Sequence, residues 1–147
     1  MQLQTVVLDI GALGLTYQKG GQFLQLKVGD SSPGFYAIAS GPDPGNKGVI
    51  ELLIKKAGDT AERVCSAPEG AYPILTMLAS PAQSLPAYPV RFAGSEIQAS
   101  PVMGKGFPID KCPPDAFPTL LIFCTGSGIS PIRSLIESDA LQVHSLP

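Results

Sequence analysis

An apolar run followed by a glycine-containing turn constrains the fold of this chain more than any other feature. Residues 119–124 read Thr-Leu-Leu-Ile-Phe-Cys, which is short enough for one buried strand, and Gly126 and Gly128 follow directly. Ser130-Pro131 then predicts a helix start, because Ser is a favoured N-cap and Pro is preferred at the first helical position. Backbone N–H groups in such a turn suit a phosphate or pyrophosphate. The same glycines could also make only a tight strand-to-helix turn.

The sequence stops at Pro147, about one helix beyond this turn. One strand and one helix cannot bury their apolar faces alone. We therefore expect them to lie against the rest of the chain, to pair with a partner or to fray. The pattern predicts the first βα unit of a truncated nucleotide-binding domain over residues 119–147.

The preceding part of the chain has the pattern of a β-rich domain. Its 15 prolines and 16 glycines are spread among short apolar runs, as expected for strands joined by many turns. One helix is predicted over residues 59–65, capped by Asp59 or Thr60. A proline-rich linker is predicted over residues 111–118. The predicted strands are 3–9, 22–28, 35–40, 49–55 and 96–103, and a tight turn is expected at 104–108.

Composition argues against several classes of function. A net charge of −2 with 15% charged residues gives no electrostatic basis for binding nucleic acid or an anionic membrane. The apolar runs are too short to span a bilayer, and the N-terminal residues lack the pattern of a signal or transit segment. The three cysteines lack the spacing of a disulfide framework or a metal site, and we expect Cys124 to be buried as a small apolar residue. His144 is expected to be solvated, and no nucleophile has a nearby base, so we predict no catalytic residue and no metal.

Five segments, taken in order, resemble the ferredoxin–NADP+ reductase family of flavoproteins, in particular its plant branch of reductase-like "fruit proteins". The resemblance implies a mainly β fold, with an antiparallel six-stranded flavin-binding β-barrel over residues 1–110. The first β-α unit of a truncated Rossmann-like nucleotide-binding domain would follow. The segments are Gly-Gln-Phe at 21–23, Phe-Tyr-Ala-Ile-Ala-Ser at 35–40, residues 55–62, Val-Met-Gly-Lys-Gly-Phe at 102–107 and residues 124–131.

The resemblance also implies an activity, in which a flavin passes electrons between NAD(P)H and an acceptor that the sequence does not identify. FAD is the expected flavin, with FMN as the alternative, and the flavin rather than the protein supplies the redox chemistry. By the same resemblance, a full-length parent is expected to reside in plastids. The competing hypothesis is a non-catalytic, truncated flavin-binding module or a nonfunctional isoform.

The family's flavin signature, Arg-x-Tyr-Ser, falls on residues 34–37. Tyr36 is retained and would pack on the flavin ring, whereas Gly34 replaces the arginine and Ala37 replaces the serine. On this basis, Gly34→Arg is expected to strengthen binding. Backbone groups of residues 37–39 would also contact the flavin. The alternative is that Tyr36 is simply a core aromatic residue in a strand.

The flavin phosphate would meet the start of the helix at residues 59–65, where Thr60 and backbone N–H groups offer neutral donors. A plain capping role is the alternative, and Lys55 and Lys56 are nearby cations. The candidate flavin residues are thus Tyr36, Ala37, Ile38, Ala39, Gly58, Thr60 and Ala61. The candidate nicotinamide-nucleotide residues are Thr125, Gly126, Ser127, Gly128, Ile129, Ser130 and Pro131.

Two segments depart from the family pattern. Residues 72–92 form an atypical insertion with four prolines and no clear period, which favours neither strand nor helix. We hypothesise that this block is retained intron sequence translated in frame. Residues 139–147 likewise have no family counterpart.

Overall fold

The computed structural model describes residues 3–43, 45, 48–67, 76–77, 91–92, 95–113, 115–138 and 140–141. Most of the regular structure is β-strand, and two α-helices accompany it. The strands are β1 (Leu3–Asp9), β2 (Phe23–Val28), β3 (Gly34–Ala37), β4 (Val49–Lys55), β5 (Thr76–Met77), β6 (Arg91–Phe92) and β7 (Ser95–Ala99). The α-helices are α1 (Asp59–Cys65) and α2 (Ile129–Glu137), and 3-10 turns cover Gly11–Thr16, Ile109–Lys111 and Gly126–Gly128.

The strands form two sheets that are antiparallel except for one short pairing. β1 pairs with β4, and the second sheet has the order β3-β2-β7-β5, with β6 also on β7 and β5 parallel to it. An isolated bridge between Ile38 and Leu52 joins the two sheets, so a path runs from β1 through β4, β3 and β2 to β7. Within the described ranges this path does not close. The mainly β, antiparallel character is confirmed, while the closed six-stranded flavin barrel stays a prediction.

The core lies between the two sheets and under α1. Alternate residues of β2 and β4 point into it, since successive side chains of a strand face opposite sides. Leu24, Leu26, Ile50, Leu52 and Ile54 are at most 2% exposed. Ala61 and Val64 cover one end of this core from α1. The period-2 apolar pattern of β2 and β4 therefore determines which of their side chains form the core.

The prediction of a strand at residues 119–124 is wrong. The structure has no strand there, and its apolar side chains are exposed, Phe123 to 91% and Leu121 to 74%. None of its backbone groups bonds to another segment that the structure describes. A strand requires hydrogen-bonded neighbours, and no described strand lies beside this run. Cys124 is exposed for the same reason, so its predicted burial is wrong as well.

The predicted helix caps are also wrong, although both helices exist. Gly58 precedes α1 with φ 90°, and neither Asp59 nor Thr60 makes a side-chain capping bond. α2 begins at Ile129, so Ser130 and Pro131 lie inside its first turn, where a missing proline N–H costs little. The Ser130 hydroxyl instead donates to the carbonyl of Leu53 in β4 (3.3 Å).

Other sequence predictions differ from the structure mainly in length. β1, β4 and α1 have the predicted bounds, whereas β3 and β7 end earlier than expected, and the 3-10 turn at Gly11–Thr16 was missed. The insertion at 72–92 contains the two-residue strands β5 and β6, contrary to expectation, and its remainder lies outside the described residues. Of the tail at 139–147, only 140–141 is described. The intron hypothesis and the proposed domain boundaries stay predictions.

Candidate functional site

A cavity of about 350 Å³ lies between β3, the end of β4 and the start of α2. We call it the β3–α2 cavity. It brings together five of the predicted site residues from three separate segments: Tyr36 and Ala37, Ala61, and Ser127 and Ser130. Its other lining residues are Gly34, Phe35, Leu53, Ile54, Lys55 and Ala57. Alternation along a strand does not show which face borders a cavity, so the sequence pattern did not point to Phe35, Leu53, Ile54 or Ala57.

Tyr36 is the main aromatic candidate in this cavity. The residue is half-buried, and burial, with a smaller contribution from Cys65, raises the pKa of its hydroxyl. The phenol is therefore neutral at physiological pH and presents both a flat ring and a hydrogen-bond donor. The ring lies over Gly34, where an added Cβ would come within 2.8 Å of the hydroxyl oxygen and 2.9 Å of a ring carbon. An arginine at position 34 would require this ring to shift, and the expectation that Gly34→Arg strengthens binding stays a prediction.

The backbone beyond Tyr36 is committed to the sheets. The N–H of Ile38 donates to the carbonyl of Gln22 (3.1 Å), and that of Ala39 donates to the carbonyl of Glu51 (2.7 Å). Both side chains are fully buried. Ile38 and Ala39 therefore belong to the buried, hydrogen-bonded part of the sheets, and neither has a free N–H for a ligand.

Thr60 is likewise occupied inside the protein. Its hydroxyl donates to the carbonyl of Ser32 (2.6 Å) and lies 2.5 Å from the hydroxyl of Ser31. The Ser31 oxygen also accepts the N–H of Val28 (2.9 Å). This buried network joins α1 to β2 and to the turn after it. Among the predicted phosphate residues, Ala61 borders the cavity, whereas Gly58 and Thr60 are not among its lining residues.

The predicted nucleotide loop contributes side chains rather than a full set of free amides. The N–H of Gly128 donates to the carbonyl of Thr125 (3.0 Å), and that of Ile129 donates to the carbonyls of Gly126 and Ser127. Ser127 and Ser130 line the cavity, whereas Thr125, Gly126, Gly128, Ile129 and Pro131 do not. The loop thus forms one wall of the β3–α2 cavity, opposite the strands that carry Tyr36.

The charge of the cavity favours an anionic or neutral ligand. Among its described lining residues Lys55 is the only cation, and none carries a carboxylate. The lysine lies at the end of β4 and is exposed. A single cation with no carboxylate among the lining residues suits an anionic or neutral ligand better than a cationic one.

A second cavity, of about 390 Å³, lies at the other end of α2 and is lined by Phe107, Leu135 and the ion-paired Lys19 and Asp110, among others. It contains none of the predicted site residues. Within the described residues, no group of three or more His, Cys, Asp or Glu side chains is placed to hold a metal ion. The helices that the structure describes include none of the length and apolarity needed to cross a membrane.

Comparison with known proteins found similarity to a plant fruit protein. The chain is 31% identical over 126 residues to "Fruit protein pKIWI502" of Actinidia deliciosa, a similarity that covers 80% of this chain. The chain spans about a third of that protein, 32% of its length. No protein-family model matches the sequence. No solved structure matches it either. The chain is thus similar to part of a plant fruit protein, while membership of the reductase family stays a prediction.

Proposed function

We propose that this chain is the flavin-binding part of a flavoprotein of the ferredoxin–NADP+ reductase type. The observation that carries the proposal is the β3–α2 cavity, which gathers Tyr36, Ala37, Ala61, Ser127 and Ser130 around one space. These residues were selected from the sequence for flavin and nucleotide binding, and they come from segments far apart in the chain.

The chemical character of the cavity suits a flavin. Its volume of about 350 Å³ lies at the lower end of the range for small-molecule sites, roughly 300–1,000 Å³. Such a space encloses a ring system rather than a whole dinucleotide. FMN, or the flavin half of FAD, is therefore the proposed occupant.

Three lining residues, Tyr36, Lys55 and Ser127, have defined roles in this proposal. The Tyr36 ring packs against the flavin ring system. Lys55 neutralises a phosphate at the mouth of the cavity, which the family assigns to the arginine that Gly34 replaces here. Ala37 has no hydroxyl, so Ser127, whose hydroxyl bonds to no described residue, is the polar group on the facing wall.

The flavin, when bound, supplies the transfer of hydride and single electrons between NAD(P)H and an acceptor. The protein orients the ring, shields one side of it from water and keeps the neighbouring tyrosine protonated. No residue has to act as an acid or a base in such a reaction.

A second candidate function is a flavin-binding module without turnover. The exposed apolar run at 119–124 favours it, because the nucleotide-binding unit that the run was predicted to begin is not assembled in the described structure. The purified chain, saturated with FMN or FAD, should be assayed for reduction of a dye by NADPH and by NADH. Turnover supports the enzyme, bound flavin without turnover supports the module, and absence of flavin binding contradicts both.

A further inference from the structure

Helix α2 is attached to the sheets by a partly buried, hydrogen-bonded tyrosine. The Tyr17 hydroxyl donates to the carbonyl of Ser40 (2.5 Å) and is hydrogen-bonded to the hydroxyl of Ser134 in α2. A phenol has one proton, so the Ser134 hydroxyl is the donor in the second bond. Ser134 is fully buried, and Tyr17 thus links the helix to the segment that follows β3.

An arginine makes the second attachment. Arg133 in α2 contacts the carboxylate of Glu51 in β4 (Nη2–Oε2 2.8 Å) and that of Glu137 (Nε–Oε1 2.7 Å). The second oxygen of Glu137 accepts the N–H of Gly41 (3.1 Å). Arg133 and Glu51 are only about one-third exposed, so solvent screens their attraction less than that of a surface pair. The chain of contacts therefore runs from β4 through α2 to Gly41.

Two glycines allow the helix to lie this close. A Cβ on Gly20 would be 2.8 Å from the Cα of Leu135, and a Cβ on Gly41 would be 2.7 Å from the carbonyl of Glu137. Both contacts are with helix backbone, which cannot rotate away as a side chain can. Even one added methyl group at either position would push α2 off the sheets.

These attachments hold both walls of the β3–α2 cavity. Ser40 and Gly41 continue the segment that carries Tyr36, and Glu51 precedes the cavity residue Leu53 by two positions in β4. On the helix, Arg133 and Ser134 lie one turn after Ser130. We propose that Tyr17 and Arg133 are positioning residues that hold the Ser127–Ser130 wall opposite Tyr36, so that the cavity is formed before a ligand arrives. The expected effect on ligand binding rests on the proposed flavin function.

The test compares Tyr17→Phe and Arg133→Gln with the unaltered chain. Arg63→Gln is the matched control, since it makes the same substitution at an exposed ion pair with Asp59 that lies wholly within α1. Amide hydrogen exchange is measured without flavin over residues 126–130 and over β4, and the affinity for FMN is measured by fluorescence titration. Ser134→Ala, which removes only a hydroxyl, is the second variant if Tyr17→Phe fails to fold.

In both positioning variants, the amides of residues 126–130 should exchange about tenfold faster than in the unaltered chain. The exchange rates of the β4 amides, and all rates in the control variant, should stay unchanged. Arg133→Lys should restore part of the protection, because a lysine can pair with one of the two carboxylates but not with both. The dissociation constant for FMN should rise several-fold in the two variants. Unchanged exchange over 126–130 in both variants overturns the positioning role, whatever the flavin result. Faster exchange in a chain that binds no FMN upholds the positioning role and contradicts the proposed function.

Discussion

Two apolar runs, residues 49–55 and 119–124, behave differently in this molecule. Residues 49–55 form β4, which pairs with β1 along its whole length and places Ile50, Leu52 and Ile54 in the core. Residues 119–124 are at least as apolar, yet they form no strand and expose Leu121 and Phe123. The first run has hydrogen-bonded neighbours that the rest of the chain supplies, and the second has none among the described residues.

The difference shows what an apolar run does and does not specify. Its composition favours an extended, buried segment, but its backbone N–H and C=O groups must also find partners. Glu51 and Lys55 in β4 alternate with the buried residues and mark the outer face of the strand. The run at 119–124 has no charged residue to mark an outer face, which is typical of a strand buried on both sides. Such a strand depends on neighbours on both of its edges.

The largest expected effect comes from truncating the same side chain in the two runs. Leu52→Ala should lower the free energy of unfolding by about 2–5 kcal/mol, because it removes a fully buried side chain and leaves a cavity. Leu121→Ala should change it by less than about 0.5 kcal/mol, because that side chain is already in solvent. Urea denaturation of both variants measures the difference. Equal losses would mean that residues 119–124 are packed as well as β4.

A smaller difference is expected between the two glycines that follow the exposed run. Gly126 has φ 57°, a left-handed conformation that costs a residue with a Cβ about 1–2 kcal/mol. Gly128 has φ −62°, and an added Cβ would lie 3.9 Å from that of Cys124, so alanine fits there. Gly126→Ala should therefore destabilise the turn and raise the amide exchange rate at the start of α2. Gly128→Ala should leave that rate unchanged and alter the free energy of unfolding by less than about 0.5 kcal/mol. Identical behaviour of the two variants would mean that the turn is not held in the described conformation.

A third prediction concerns the pH dependence of the contact between α2 and the sheets. Burial raises the pKa of Tyr17 to about 12, and Glu137 adds to this shift, while the hydrogen bond with Ser134 opposes it. A folded-state pKa above the unfolded value near 10 means that the folded chain holds this proton more tightly. The stabilisation is complete below pH 10 and is lost as the pH rises towards 12.

Urea midpoints at pH 9.5 and 11.5 test this prediction. The unaltered chain should lose more stability across this interval than Tyr17→Phe, in which the titrating group is absent. Every other ionisable group remains in both chains, so its contribution cancels in the comparison. The same loss in both chains would show that Tyr17 is not buried against α2.

The sequence predicted the elements that are stabilised by their own pattern. β1, β4 and α1 were placed correctly because period-2 alternation, or a short run of helix-compatible residues, is visible in the chain itself. Residues 119–124 were misplaced because whether a run has neighbours is decided by other parts of the structure. The caps were misassigned because Thr60 and Ser130 find partners far along the chain, in Ser32 and Leu53.

The candidate site was predicted in part for related reasons. A resemblance selected Tyr36, Ala61 and Ser127, which the structure places around one cavity. Short motifs could not show that the N–H groups of Ile38 and Ala39 are used by the sheets. The attachment of α2 through Tyr17 was also invisible, because its partners, Ser40 and Ser134, are distant in sequence.

The measurement that tests the account most directly is a flavin titration of three chains. The unaltered chain, Tyr36→Ala and Phe117→Ala are titrated with FMN and FAD, and binding is followed by flavin fluorescence. Phe117 is the matched control, since it is an exposed aromatic residue that does not line the β3–α2 cavity. Tyr36→Ala should weaken binding by at least about 1 kcal/mol, roughly a fivefold rise in the dissociation constant, and Phe117→Ala should leave it unchanged. Equal affinities of the unaltered chain and Tyr36→Ala, or no binding by the unaltered chain, would contradict the assignment of this cavity to a flavin.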